Sequence, residues 1–471
     1  MALPNIFQTG RSGMVAAKAA MATTGHNISN ANTEGFSRQR VETQSSTPTS
    51  EGHHLIGTGA LISRVGRMND EHIEKQLRNG TRDLANYEEK DLMLKQTEDI
   101  FNEMNGDGLN RLVARFYNEF RRLSNEPDSE AVRQSVREGA QAMVNDFHRI
   151  RNEVEEVRHH IDARLEGCSR EVNAFAEDIK DLNIKIKVQT ASGGEPNDLL
   201  DKRDLALRKL GGYMDLAMHK DGDGAYTVDV RGVGPLVAGS EAQQFTVERS
   251  PADDQGKPEN AYDLKTTGSA KGNVTHQVKG GKIGALLEVR DNVLSTILAR
   301  LDDLAYTMGT AVNDIHLQGF TRDGKQGVAF FKPLDQQGRA AEFLELSDDV
   351  KDNVNNIAAA AQGDSPGDNR IAIAISTLQG HKIMNGGRAT MDDFYDSIVS
   401  DVGVASSKNK FGMNQERDIM TQLNKMRDQI SGVSIDEETA NLMQYQHAFD
   451  ASAKVIQIAD ECLKTILELK R

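Results

Sequence analysis

Apolar residues at both ends of the chain recur at alternating spacings of three and four, which is the pattern of a coiled-coil seam. Near the C-terminus the seam is mostly bulky and consists of Leu442, Tyr445, Phe449, Ser452, Ile456, Ala459, Leu463 and Ile466. Near the N-terminus it is mostly small and consists of Phe7, Gly10, Met14, Ala17, Met21, Thr24 and Ile28. A face of small residues buries little apolar surface alone, but it lets a second helix approach closely.

We therefore predict that the two ends of the chain pair with each other. We also predict that the seam residues of both ends form an assembly interface with other subunits. The alternative is a helical hairpin within a single chain that has no further partner.

Helical periodicity covers most of the remaining chain. The predicted helices are 4–29, 69–104, 109–124, 129–190, 197–210, 283–316, 348–360, 367–384, 390–402, 408–430 and 435–469. Residues 129–190 contain no proline, so we expect one helix of ~90 Å at ~1.5 Å per residue, with Gly139 and Gly167 as candidate breaks.

Polar residues and glycines mark where these helices begin and end. Asn197 or Asp198 is expected to cap the helix that follows it. Ser434, with Glu437 three positions later, predicts a capping box at the start of the last helix. Gly35 is expected to close the asparagine-rich turn after the first helix, because glycine adopts the left-handed conformation readily.

The pattern changes between residues 213 and 280, where turn residues separate short alternating runs, which predicts a small β domain. Residues 36–65 and 318–345 are expected to form extended segments and loops. The predicted fold class is mainly α with a small inserted β domain, elongated, with nested domains and paired terminal coiled-coil helices. The predicted domains are 1–65 with 430–471, 66–212 with 281–429, and 213–280.

The charge and hydropathy of the chain disfavour two classes of partner, nucleic acids and the membrane interior. The 471 residues carry a net charge of −15, and no run of Lys or Arg offsets it, which disfavours nucleic acid as a partner. No stretch approaches the ~18 apolar residues of a membrane span, so no membrane insertion is expected. Arg11 and Lys18 interrupt the N-terminal apolar residues, which argues against a cleaved secretory signal peptide.

Candidate chemistry is sparse. The run 221–224 resembles the start of a calcium loop but lacks the later ligands, so a hairpin turn is the favoured interpretation. The pairs at 53–54 and 159–160 are His-His sequences with no third metal ligand nearby. Cys168 and Cys462 lie far apart without metal-ligand spacing and are interpreted as unpaired, although a disulfide stays open. We therefore expect no catalytic residues, no metal and no cofactor.

The segment from Asn27 to Gln39 resembles the N-terminal signature of the bacterial flagellar axial family, which comprises rod, hook and hook-associated proteins. It departs from the usual signature at Glu34, where the family has proline, and at Phe36, where it has tyrosine. Further segments are similar to the hook-associated members and follow in consistent order, weakening only over 213–280. They are 57–59 with Arg67 and Asp70, 76–78, 196–204, 281–288, 384–387, 393–395, 400–403, 431–438 and 451–456.

This resemblance implies a structural junction protein that links the flagellar hook to the filament and catalyses no reaction. It implies export through the flagellar type III apparatus with the help of a chaperone, then addition at the distal end of the hook. The implied partners are further copies of the chain in a ring, hook protein, and a second hook-associated junction protein. The terminal helices would form an inner tube, the helical rods the next shell, and the β insert the outer surface.

Two alternatives stay open. One is another axial protein of the hook or rod, against which the long helix over 129–190 argues, because those proteins are mostly β outside their terminal helices. The other is a secreted cell-wall hydrolase on an axial scaffold. That enzyme would need a catalytic cleft, for which residues 213–280 offer little room.

Overall fold

The computed structural model describes residues 2–51, 54–101, 108–221, 225–249, 262–267, 272–363, 365 and 367–469. The α-helices are α1 (Ala2–Ser29), α2 (Glu71–Ile100), α3 (Leu109–Asn125), α4 (Glu130–Ala191), α5 (Asn197–Gly211), α6 (Gly281–Glu288), α7 (Ser295–His316), α8 (Ala340–Phe343), α9 (Asp348–Asp352), α10 (Arg370–Thr377), α11 (Met391–Ser431) and α12 (Ile435–Leu469). A π-helical segment, Val289–Leu294, joins α6 to α7. The predicted fold class, mainly α with a small β portion, is confirmed.

The strands are short and belong to small antiparallel sheets. They are β1 (Gln39–Ser45), β2 (Thr49–Glu51), β3 (His54–Ile56), β4 (Ala60–Arg67), β5 (Leu216–Lys220), β6 (Tyr226–Val230), β7 (Gly234–Ala238), β8 (Glu241–Ala242), β9 (Phe245–Arg249) and β10 (Tyr262–Thr266). Strands β1 and β4 pair, as do β2 with β3 and β9 with β10, while β5 to β8 form a four-stranded sheet in sequence order. The β portion therefore falls where the alternating runs predict it.

The long helices are more continuous than the sequence predicts. Helix α4 runs unbroken through Gly139 and Gly167, and α11 replaces the two helices expected at 390–402 and 408–430. An isolated glycine costs a helix only ~1 kcal/mol relative to alanine. Gly403 therefore does not end α11, and the prediction of two helices there was wrong.

Two shorter helices end earlier than expected. The helix predicted over 348–360 ends at Asp352, where Asn353 begins a separate 3₁₀ turn by accepting a hydrogen bond from the Asn355 backbone. The one predicted over 367–384 is α10, which ends at Thr377 before a further 3₁₀ turn. Residues 318–345 form loops with isolated bridges and the short α8.

The chain divides into two compact units. The first comprises 1–86, 168–283 and 414–471, and the second comprises 87–167 and 284–413. In the second unit, Phe116 lies at the centre of an aromatic cluster, with ring centroids 5.2 Å from Phe120 and 5.8 Å from Phe330. The three-domain division expected from the sequence stays a prediction.

The ends of the β segment lie side by side in the first unit. The Asp215 backbone N–H donates to the Lys279 carbonyl at 3.1 Å, and the Ile283 N–H donates to the Tyr213 carbonyl at 3.0 Å. Gly281 has a φ of +60°, and a Cβ there would lie only 2.5 Å from the Met214 backbone nitrogen. This glycine therefore permits a tight crossing of two chain segments.

Candidate assembly interface

The terminal helices α1 and α12 pack along each other within the first unit. On α1 the predicted seam residues Gly10, Ala17 and Thr24 are buried, and the remaining ones, Phe7, Met14, Met21 and Ile28, are half-buried. On α12 Ala459 is buried, and the half-buried ones are Leu442, Tyr445, Phe449, Ser452, Ile456 and Leu463. Ile466 stays 51% exposed. The structure brings the two seams together within one chain, and their contact with other subunits stays a prediction.

Glycines on α1 allow this close approach. A Cβ on Gly10 would lie 2.6 Å from Cγ1 of Ile456 and 3.2 Å from the backbone oxygen of Ser452. A Cβ on Gly13 would lie 2.6 Å from the Ser452 hydroxyl oxygen. Larger side chains at either glycine would push the helices apart, as the small-residue face predicts.

The hairpin of β1 and β4 lies against α1. The Ala60 backbone N–H donates to the Ser12 hydroxyl at 3.2 Å, and Gly59, with a φ of +105°, lets this strand end approach the helix. The pairing runs from Gln39 opposite Arg67 to Ser45 opposite Ala60. The hairpin thereby fixes the backbone of Gln39 beside the C-terminal end of α1.

A buried polar cluster joins the end of α1 to the start of α12. We call Asn27, Arg38, Gln39 and Glu438 the terminal joint. The Asn27 amide donates to the Gln39 carbonyl at 2.9 Å and to Oε2 of Glu438 at 3.0 Å, and its Oδ1 accepts from the Gln39 N–H at 3.0 Å. Asn27 and Glu438 are 1% and 2% exposed, so each of these bonds replaces a bond to water.

Arg38 completes the charge balance of the terminal joint. Its guanidinium lies 2.7 Å from Oε1 of Glu438 and 3.1 Å from Oε2 of Glu437. Its backbone N–H donates to the Ser431 carbonyl at 2.9 Å, at the end of α11. A buried carboxylate is tolerated when it is paired and hydrogen-bonded, and Glu438 meets both conditions.

Helix α5 supports the terminal joint from the other side. Asp198 accepts from the Gln39 side chain at 2.7 Å and contacts His26 at 3.2 Å. Asp201 accepts from the Ser37 N–H at 2.9 Å and from Arg67 at 3.0 Å. Burial raises the pKa of the Asp201 carboxyl above its usual range, against the opposing effect of these two donors.

The helix-cap prediction at α5 was wrong, and the reason lies in the same cluster. The N-cap position is Pro196, which has no side-chain cap bond. The Asn197 amide donates instead to the Val65 carbonyl, and Asp198 is engaged with Gln39 and His26. By contrast, Ser434 caps α12 as predicted, accepting from the Glu437 N–H at 3.4 Å.

Sequence analysis did not find the terminal joint. The sequence places Asn27 in the asparagine-rich turn after the first helix and indicates no separate role for Glu438. Glu438 lies one position after the capping-box residue Glu437, where burial is unexpected for a carboxylate. A spacing of 411 residues between Asn27 and Glu438 leaves no periodic signal that could join them.

Helix α12 carries a second apolar stripe that α1 does not cover. We call Ala448, Ala451, Val455, Ile458, Cys462 and Ile466 the outer stripe. They again follow spacings of three and four, and all of them are exposed. Ile458 and Ile466 are 52% and 51% exposed. Exposed apolar stripes are typical of surfaces that bind other proteins, so the outer stripe is a candidate surface for a partner.

The other sequence candidates offer no chemistry in the described part of the chain. The described residues contain no group of three or more His, Cys, Asp or Glu that could hold a metal ion. His159 and His160 lie exposed on α4. Of the pair at 53–54, His54 begins β3, whereas His53 lies outside the described residues, as does most of the run 221–224. Cys168 is buried and Cys462 exposed, and neither forms a disulfide. Among the described helices, none is long and apolar enough to cross a membrane.

Paired terminal helices, a buried joint between them and an uncovered apolar stripe define a structural protein built for assembly. Comparison with protein families identifies which one. Residues 94–331, just over half of the chain, match the model of the flagellar hook-associated protein FlgK helical domain. The ends match the flagella basal body rod protein model, over 7–36, and the C-terminal model of the flagellar basal body rod FlgEFG proteins, over 427–469. The chain therefore belongs to the flagellar hook-associated protein FlgK family.

Individual relatives agree over nearly the full length. The chain is 27% identical to flagellar hook-associated protein 1 of Bacillus subtilis, covering 98% of this chain and 97% of that protein. It is 25% identical to the protein of the same name from Salmonella typhimurium, covering 99% and 100%. The solved structure of the flagellar hook junction protein FlgK from Burkholderia pseudomallei has a similar fold, with a TM-score of 0.66 at 16% identity, covering 76% of this chain and 100% of that one.

Proposed function

We propose that this chain is the structural subunit that links the flagellar hook to the filament. The observation that carries the proposal is the match to flagellar hook-associated protein 1 of Bacillus subtilis over 98% of the chain, including both terminal helices. The name of the Burkholderia relative, a hook junction protein, supports the same role. We propose no catalytic activity and no cofactor.

The proposed partners follow from this role. Copies of the chain form a ring at the distal end of the hook, through the seam residues and the outer stripe. Hook protein lies below the ring, and the second hook-associated junction protein lies above it. The chain reaches this extracellular position by flagellar type III export with a chaperone.

The proposed domain roles place the ends innermost. Residues 1–65 with 430–471 form the inner-tube domain, and 66–212 with 281–429 form the helical rod domain around it. Residues 213–280 form the small outer β domain. The bonds of the terminal joint support treating the two ends as one unit, because Asn27 and Glu438 belong to opposite ends of the chain.

The rod or hook alternative gains some support from the terminal matches, which are to rod-protein models. Those matches cover only 7–36 and 427–469, however, whereas the hook-associated model covers 94–331. Electron microscopy of a strain that lacks the gene tests both roles. The junction role predicts hooks of normal length without filaments, with filament protein shed into the medium. Normal filaments, or loss of the hook itself, would contradict it.

A further inference from the structure

A tight turn in the second unit, shortly before helix α11, contains the sequence Asn385-Gly386-Gly387. Asn385 has a φ of +53°, and the two glycines have φ values of +67° and +84°. Among the described residues, Asn385 is one of two non-glycine residues with a positive φ, the other being Arg339. Three successive residues in the left-handed region reverse the direction of the chain within a short span.

The residues on either side hold the base of this turn in place. Met384 is only 1% exposed, its carbonyl accepts from the Gly387 N–H at 3.1 Å, and its own N–H donates to the Ala389 carbonyl at 3.0 Å. Thr390 then caps α11, because its hydroxyl accepts from the Asp393 N–H at 3.1 Å. The base of the turn is therefore fixed by buried and capping residues.

The tip of the turn is open to water. Asn385 and Gly386 are both exposed, and among the described residues no group accepts a hydrogen bond from the Gly386 N–H or bonds the Asn385 side chain. A Cβ on Gly386 would meet no heavy atom within 4 Å. A backbone nitrogen that has lost its proton is a nucleophile, and a glycine offers it no side chain that blocks its approach to the preceding side-chain amide.

We propose that Asn385 is a site of spontaneous covalent modification, at which the asparagine converts to a mixture of aspartate and isoaspartate. Hydroxide takes the proton of the Gly386 N–H, and the nitrogen attacks Cγ of Asn385. The bond between Cγ and the side-chain nitrogen breaks, and that nitrogen takes a proton from water and leaves as ammonia. One water molecule then opens the resulting succinimide ring at either of its two carbonyls. This reaction needs no enzyme or cofactor and does not depend on the junction role.

The products change the turn locally. Either product places a new carboxylate shortly before α11, and isoaspartate also routes the main chain through the former side-chain carbon. The main chain is then one carbon longer between residues 385 and 386. We expect this longer connection to disturb the bond between the Gly387 N–H and the Met384 carbonyl.

A second Asn-Gly pair shows how the fold selects the site. Asn79 and Gly80 lie within helix α2, where each backbone N–H bonds the carbonyl four residues earlier. Gly80 is buried, and a Cβ on it would lie 2.6 Å from Sδ of Met420. Attack by the Gly80 nitrogen therefore requires α2 to open first, whereas attack by the Gly386 nitrogen does not. The third pair, at 105–106, lies outside the described residues.

The test incubates the full chain in mildly alkaline buffer, cleaves it after lysine, and follows peptides 383–408 and 76–90 by mass spectrometry. In the folded chain, Asn385 should gain the mass that replacing NH₂ by OH gives at least about tenfold faster than Asn79. In a chain unfolded in guanidinium, the two asparagines should convert at similar rates. A protein isoaspartyl methyltransferase, which methylates the isoaspartyl carboxylate, should label peptide 383–408 of the incubated folded chain.

Two matched variants complete the test, and circular dichroism shows whether each is folded. Asn385→Ser should abolish methyl labelling of peptide 383–408, whereas Asn79→Ser should leave that labelling unchanged. An unmodified Asn385 in the folded chain, with conversion in the unfolded chain, would overturn the proposal, because the turn would then hold the amide away from the Gly386 nitrogen. Equal conversion of Asn79 and Asn385 in the folded chain would overturn it as well, since the fold would then select neither site.

Discussion

The side-chain amide of Asn27 lies 3.0 Å from Oε2 of Glu438, across 411 residues of sequence. Asn27 is the first residue of the signature segment near the N-terminus, and Glu438 lies in the first turn of the last helix. Because the same asparagine also bonds both backbone groups of Gln39, one side chain holds α1, β1 and α12 together. The relative placement of the two chain ends therefore depends strongly on a single polar residue.

Replacing Asn27 with alanine should destabilise the first unit by about 2–3 kcal/mol, because the substitution removes a donor to a buried carboxylate and both partners of the Gln39 backbone. Arg38 still pairs with Glu438 and limits the loss. Urea unfolding followed by circular dichroism measures the change. Asn32→Ala is the control, since Asn32 is exposed in the same turn and should shift stability by less than about 0.5 kcal/mol. Equal changes in the free energy of unfolding for the two substitutions would show that the Asn27 hydrogen bonds do not stabilise the terminal joint.

Substitutions of two glycines on α1 test the close packing of α1 against α12. Gly10→Ala should destabilise the pairing of α1 with α12 by about 1–3 kcal/mol, because the new methyl group would meet Ile456 and the Ser452 backbone. Gly25→Ala has no heavy atom within 4 Å of the new methyl group, so it should stabilise α1 by about 0.5–1 kcal/mol through helix propensity. Hydrogen exchange of the α1 amides reports both effects. Gly10→Ala should speed the exchange of the α1 amides and Gly25→Ala should slow it. Slower exchange in both variants would show that α1 and α12 can move apart without loss of stability.

Local patterns predict most of the helices, because helical periodicity depends on spacing along the chain. The contact of the seam residues with other subunits stays a prediction. Ser434 supplies its half of the predicted capping box, while the Glu437 carboxylate accepts from Arg38 instead. Gly10 lies where the small-residue face places it. The terminal joint could not be predicted in this way, because Asn27 meets Glu438 only after the chain has folded. The cap expected at Asn197 failed for the same reason, since its amide bonds Val65 in a distant strand.

His316 makes the second unit sensitive to acid. The ring is fully buried; its Nδ1 donates to the Val328 carbonyl, and its Nε2 accepts from the Ala358 N–H at 2.8 Å, which requires the neutral form. Burial lowers the pKa of His316 from 6.5 to about 4, with a further contribution from the charge of Arg133. The folded state therefore binds fewer protons than the unfolded state between these two pKa values.

The free energy of unfolding should consequently fall by roughly 3 kcal/mol as the pH drops from 6.5 to 4. His316→Gln should be less stable at neutral pH and should lose most of this contribution. His381→Gln is the control, because His381 is exposed in the same unit. Hydrogen exchange of peptides from residues 312–331, measured as a function of pH, distinguishes the His316→Gln variant from the His381→Gln control. The same acid sensitivity in the parent and in His316→Gln would assign it to other groups.

The β segment should be dispensable for linking hook and filament. Because the Asp215 N–H bonds the Lys279 carbonyl at 3.1 Å, a short Gly/Ser linker can replace residues 216–278. The replacement should lower thermal stability, since Ser169 and Asn173 on α4 lose their bonds to the Phe245 backbone and the buried Val172 becomes exposed. Filament growth in a complemented deletion strain is the measurement. A folded, exported variant without filaments would show that the segment makes contacts the assembly needs.

The outer stripe should be needed for assembly but not for folding of the monomer. Ile458 is 52% exposed, so Ile458→Glu buries no charge in the isolated chain and should leave its thermal unfolding nearly unchanged. In a ring of copies that covers the stripe, the same carboxylate would be buried without a partner, which costs several kcal/mol. A deletion strain complemented with the Ile458→Glu variant should therefore export the protein, and electron microscopy should show few filaments. Gln457→Glu is the control, because it introduces the same charge on the neighbouring exposed residue. Helical spacing places residue 457 away from both the outer stripe and the seam residues, so complementation with this variant should give normal filaments. Normal filaments with Ile458→Glu would exclude the outer stripe from the subunit contacts.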